Sequence, residues 1–108
     1  MNLELNYVYQ QTGRALYALA VGAGCVQDRL ITAAGDALSH LNRFMGGLPD
    51  DLRVEYGKLM TDLGALDPDG RGRLDVSISC MPNDEAVHLA HRVHEFASRV
   101  AATYRGER

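Results

Sequence analysis

From Leu16 to Phe44, apolar or small residues fall three or four positions apart without a slip: Leu16, Leu19, Ala23, Val26, Leu30, Ala33, Ala37, Leu41 and Phe44. That spacing is one face of an α-helix. Run unbroken from Thr12 to Met45, the helix would be about 51 Å long. A domain of this length has a radius of gyration of about 13 Å, so such a rod would overhang it and seek a second copy. The alternative is a break at Gly22-Ala23-Gly24, because each glycine costs about 1 kcal/mol inside a helix relative to alanine. A break gives two rods, 3–21 and 25–45. Against it, no Ser, Thr, Asp or Asn lies between Gly22 and Val26 to cap a new helix. We place the break at the glycines, because the two rods then match two more downstream.

Upstream, Leu3, Leu5, Tyr7 and Tyr9 alternate as in a strand, but Leu5 and Val8 continue the helical phase, and a helix is expected. Gly46-Gly47 should end the second rod in a left-handed cap. Pro49 suits the first helical position of the next element, with Asp50 and Asp51 in the first turn. Its stripe is Leu52, Tyr56, Leu59, Leu63 and Leu66. Its outer side carries Arg53, Gly57, Met60 and Gly64, a smooth face on which a partner's backbone could rest. After the turn-rich Asp67–Gly72, Leu74, Val76, Ile78 and Cys80 alternate with polar residues and predict a short strand at 73–80. Its mate would be residues 2–9 or another chain's edge. Asn83 should cap the last helix, whose stripe is Ala86, Leu89, Ala90, Val93, Phe96, Ala97, Val100 and Tyr104. The expected fold is therefore mainly α. It is a small bundle of three to four helices (3–21, 25–45, 49–66, 83–104) in a single domain, 1–108, with one short strand.

The chain has no tryptophan and 6% aromatic residues, so the core must be aliphatic side chains and alanine. A net charge of −3 indicates no nucleic-acid surface. Cys25 and Cys80 are too few for a disulfide framework and read as small buried hydrophobes in a reducing compartment. Ala15 to Gln27 carries no charge, but crossing a bilayer takes about 20 residues. With Arg14 before it and Gly24-Cys25 at its end, the run resembles a lipoprotein-type signal. Glu4 stands where that signal has its basic region, and Gly22 where it has leucine. A cytoplasmic chain without membrane contact is expected.

Asp67-Pro68-Asp69-Gly70-Arg71-Gly72-Arg73-Leu74-Asp75 resembles the first nine positions of an EF-hand calcium loop. The resemblance implies carboxylates from Asp67, Asp69 and Asp75. It departs from the family where Arg71 replaces an oxygen ligand and Ile78 replaces the bidentate glutamate. His88, His91 and His94 recur every three residues with Glu95 beside them, a legal spacing for metal ligands on one helix. Glu85 and His88 are similar to the Glu-x-x-His pair of di-iron bundles, with Asp36 and His40 a loose echo of the second pair. His88, His91 and Glu95 lie opposite the Leu89–Val93–Phe96 stripe and should face solvent.

No nucleophile elbow or phosphate-binding glycine loop is present. The expected function is a non-enzymatic interaction module without cofactor that binds a protein partner, or itself as a homodimer, through helix faces. A small phage- or mobile-element-type inhibitor of a host complex, an adaptor and a chaperone all fit. The alternative is a metal-binding or metal-sensing bundle using His88, His91 and Glu95.

Overall fold

The computed structural model describes residues 3–64 and 74–106, and of 74 and 75 the backbone alone. The order is α1 (Leu3–Val21), α2 (Val26–Thr32), a π-helical run (Ala33–Leu38), a 3-10 run (Leu41–Gly47), α3 (Asp50–Leu63), α4 (Leu74–Ser79) and α5 (Asn83–Tyr104). The fold is the mainly α small bundle expected. Its extents are 40 × 32 × 19 Å, with a Cα radius of gyration of 13.2 Å.

α1 runs along α5 and along the π and 3-10 runs, while α3 packs on α5 and α4 packs under α2. The core is aliphatic, with Val8, Leu30, Leu38, Leu59, Leu63 and Val93 among its fully buried members. Ala15, Ala33, Ala34 and Ala86 are also buried, so backbones approach closely where they meet. Phe96 is buried, and its ring lies 6.0 Å from that of Tyr56. At the open ends of the bundle, Tyr9 stacks on Tyr104 at 4.3 Å and Tyr7 tilts against Phe44 at 4.3 Å.

The chain breaks after Val21, as the glycines indicated. Gly24 has φ +91°, a backbone state that side chains with a Cβ rarely adopt. The missing cap is supplied from inside the new helix: the Asp28 carboxylate accepts the Cys25 N–H at 3.3 Å. The second rod is not a regular helix. It widens at Ala33–Leu38, where the Ser39 N–H reaches back five residues to the Ala34 carbonyl at 2.8 Å, and then tightens into the 3-10 run. Tyr56 holds the seam between the two. Its hydroxyl donates to the Leu38 carbonyl at 2.6 Å, and the backbone of Leu41 and Asn42 hydrogen-bonds to it.

Five local expectations are corrected. Residues 74–79 are helical, not a strand, while residues 3–9 belong to α1 as expected and offer no strand mate. A lone strand would leave its backbone groups unpaired, whereas a helix satisfies its own. Burial agrees: Ile78 and Met81, three apart, are buried, while Val76 and Cys80 are exposed. Gly46 and Gly47 do not take the left-handed cap; the 3-10 run ends instead as Leu48 becomes extended. Pro49 and Pro82 sit one residue before their helices, which begin at Asp50 and Asn83. The Asn83 side chain is not a cap. It accepts from Gln27 Nε2 at 2.7 Å, and the same amide donates to the Met81 carbonyl at 3.0 Å. Finally, α3 stops at Leu63 because Gly64 turns left-handed at φ +91°, and Leu66 lies outside the described residues.

Candidate functional site

The apolar stripe that begins at Leu16 changes character along its length. Leu30, Ala33, Ala37 and Leu41 are buried. Leu16, Leu19 and Val26 are only half-buried, and Ala23 is exposed. From Leu16 to Arg29 no residue is fully buried, although Ala15 to Gln27 carries no charge. Two more apolar side chains stand further out on α1: Tyr17 is 71% exposed and Val21 59%. The second half of α1 is thus apolar on both its inner and its outer side, and only the inner side has partial cover.

Between this helix end and α5 runs an open groove of about 460 Å³, lined by Leu16, Leu19, Ala20, Val26, Val87, Ala90, His91 and His94. Its floor is aliphatic, and two imidazoles form part of one wall. At its edge, the turn after α1 is fixed by close packing: a Cβ on Gly22 would lie 2.4 Å from the Ala18 carbonyl oxygen and 3.1 Å from Arg29 Cγ. Among the described residues, Gln27 Oε1 and Arg29 Nε are buried without a hydrogen-bond partner, both at the base of α2 beside this end.

The other depressions are more polar. One of about 630 Å³ lies between Pro49, Asp51, Leu52, Arg99, Ala102, Thr103 and Gly106, and its two charges satisfy each other, Arg99 to Asp51 at 2.6 Å. Another, of about 560 Å³, is a shallow dish on the outer side of α3 with Arg53, Val54, Gly57, Lys58, Thr61 and Asp62.

The four residues expected to form a partner face do not stay together. Arg53 and Gly57 share the dish on α3, where Arg53 pairs with Asp50 one turn back. Met60 is 4% exposed and belongs to the core, because α3 packs against both α5 and α4 and its apolar arc is wider than one stripe. Gly64 is the C-cap, where an added Cβ would meet Ser77 Cβ at 2.4 Å.

His88, His91 and Glu95 are exposed, as the helical phase required, and His94 is exposed as well. Among the described residues, no group of three or more His, Cys, Asp or Glu is placed to hold a metal ion. The EF-hand-like run at 67–75 falls almost wholly on residues outside those described. Cys25 and Cys80 are free and exposed, not buried. Arg92 and Arg99, which share a side of α5 with His88, are engaged by α3: Arg92 reaches Asp62 at 2.5 Å and Glu55 at 3.6 Å. The Tyr56 phenol is pushed up to about 12 by burial, with its bonds to Leu41 and Asn42 acting in the opposite sense. That group is structural.

No helix among the described residues is long and apolar enough to cross a membrane. No protein-family model matches the chain, and neither curated proteins nor solved structures match it.

Proposed function

We propose that this chain is a non-enzymatic protein-interaction module that docks through the second half of α1 and the groove beside it. The observation that carries this reading is the uncharged run Ala15–Gln27, in which every residue from Leu16 onward keeps some contact with solvent. Exposed apolar surface costs solubility and invites aggregation, and a contiguous patch of it marks a contact region. The groove has the shape used to seat one short amphipathic helix, with anchors spaced one turn apart. Three arginines elsewhere on the surface are already engaged: Arg92 and Arg99 bridge α5 to α3, and Arg53 pairs within its own helix. The docking surface is therefore apolar in character, with His91 and His94 giving it a polar edge.

A photo-reactive side chain at Ala20, on the groove, and another at Lys58, on the outer side of α3, test this in cells that make the protein. A covalent adduct of defined mass is expected from position 20 and not from position 58. No adduct from position 20, or equal adducts from both, overturns the reading.

A further inference from the structure

The occupant of this surface can be read from the segment itself. The uncharged run is bracketed by Arg14 before it and Asp28 after it. Asp28 belongs to α2 in sequence, but its carboxylate folds back onto the turn, where it accepts the Cys25 N–H at 3.3 Å and lies against Gly24. The anion therefore sits at the C-terminal tip of α1. Arg14 is exposed about two turns earlier, with one guanidinium nitrogen donating to Gln11 at 3.2 Å. Along its axis the helix end reads cation, apolar, anion, with the Arg29 side chain packed against Gly22 beside that anion.

A segment with that order complements itself when a second one runs antiparallel to it. A two-fold axis crossing α1 between Ala18 and Leu19 sets residue 14 opposite residue 23, at the turn that carries the Asp28 carboxylate. The same axis sets the bulky Tyr17 opposite the small Ala20, and Val21 opposite Leu16. Tyr17, Ala20 and Val21 are exposed on the side of α1 away from buried Ala15, so this pairing needs no rearrangement of the core. Large side chains then fill hollows on the facing helix, as in ridge-into-groove packing. Each contact occurs twice, as an interface made from one self-complementary patch requires.

We infer that the surface is closed by a second copy of this chain, with the two α1 ends antiparallel and Arg14 of each copy beside Asp28 of the other. This rests on the docking role proposed above and names the partner. The charge order is what singles out a second copy. A membrane surface would call for a cluster of basic residues beside the apolar side chains, and Arg14 is followed by no other charge until Asp28. The area sets the strength. Covering Leu16, Tyr17, Ala20 and Val21 buries on the order of 300 Å² per copy, below the roughly 800 Å² per partner of stable pairs. The pair is accordingly weak and concentration-dependent. A charge of −3 on each copy opposes it little, since salt screens charges beyond about 8 Å at physiological ionic strength.

Sedimentation equilibrium from about 5 μM to about 1 mM tests the inference, with circular dichroism verifying that each variant is folded. The wild-type mass should climb from the 11.8 kDa of one chain toward twice that value. Tyr17→Asp should stay at the mass of one chain throughout; Tyr17 is exposed, so the fold should tolerate the change. Arg14→Asp alone and Asp28→Arg alone each place like charges opposite one another at both ends, and each should weaken association about tenfold. Their equimolar mixture should associate about as well as wild type, because each copy then offers the charges the other lacks. A wild-type chain that stays monomeric to 1 mM overturns the pairing, as does association that survives Tyr17→Asp. A mixture no better than its components also overturns it. Any of these results leaves the docking role to the Ala20 adduct, whose mass would then be that of a different protein.

Discussion

Along α5, each member of the apolar stripe from Ala86 to Val100 is covered except the half-buried Ala90, and Arg92 and Arg99 beside it are tied to the acids of α3. Along α1, full cover stops at Ala15; of the next six residues, all apolar, Leu16, Ala18 and Leu19 are half-buried and Tyr17, Ala20 and Val21 are exposed. The two helices are of similar length and α5 is flanked by α1 and α3. The difference lies in what arrives opposite them. α5 has α1 on one side and α3 on another, whereas the end of α1 has α2 along one side and α5 along another and keeps an outer side, with Tyr17 and Val21, uncovered. A helical stripe specifies which side seeks cover; the rest of the chain decides whether cover comes.

The two regions should therefore respond very differently to truncation. Phe96→Ala, inside the covered region, is expected to cost about 3–5 kcal/mol in urea unfolding. Tyr17→Ala, at the uncovered end, should cost less than about 0.5 kcal/mol under monomeric conditions. A Tyr17→Ala loss as large as that of Phe96→Ala would mean that the end of α1 is covered after all.

Tyr56→Phe comes next, at about 2 kcal/mol, because it strips a buried hydrogen-bond donor from the Leu38 carbonyl. It also carries a pH signature. The phenol ionises at about 12 in the folded chain, against 10.0 ordinarily, so the unfolded chain loses this proton first. The contribution of Tyr56 to stability is constant below pH 10 and is lost as pH rises from 10 toward 12. The Phe variant should lack that alkaline share of the decline, read as the difference between the two unfolding curves across this range.

The glycines of α3 sharpen the contrast at smaller scale. Gly64→Ala forces a Cβ into the left-handed region and into Ser77, and should cost about 1–3 kcal/mol. Gly57→Ala meets nothing within 4 Å and should stabilise by about 0.5–1 kcal/mol through helix propensity. Thermal melts of the two single variants should move in opposite directions. Arg92→Ala should also have a small effect. Its bonds to Asp62 and Glu55 lie at the edge of the covered region, and the expected loss of about 0.5–1 kcal/mol should shrink in concentrated salt.

Helices α1 and α5 were legible end to end because their apolar spacing never changes phase, and the break at Gly22–Gly24 because two glycines are hard to keep inside a helix. The irregular rod at 26–47 was not. The seam between its π and 3-10 runs is bonded by a hydroxyl from Tyr56, eighteen residues beyond Leu38, which no local pattern announces. The segment 74–79 was misread because six residues are too few to separate a period of two from one of 3.6. The informative pair, Ile78 and Met81, runs past its end. Met60 was placed outside by a single-stripe view of α3, and only the position of α4 reveals a second contact. At the candidate site, the uncharged run was visible in the sequence, but which of its sides stays open follows from how α2 and α5 pack along it. That open side, and with it the inclusion of His91 and His94 in the groove, was out of reach of periodicity alone.

The wide turn at Ala33–Leu38 has a consequence for how the chain can change in length. Its Ser39-to-Ala34 bond spans five residues where a regular helix spans four, so this run holds one residue more than an α-turn requires. Gly35 has open space where its side chain would be. Removing it would let the bond close over four residues while the flanks kept their angular register. The same deletion at Gln10 would swing everything before or after it through about 100° and tear one side of the core from the other. The molecule has a built-in slack link, and insertions or deletions should be survivable there when they are not survivable in α1.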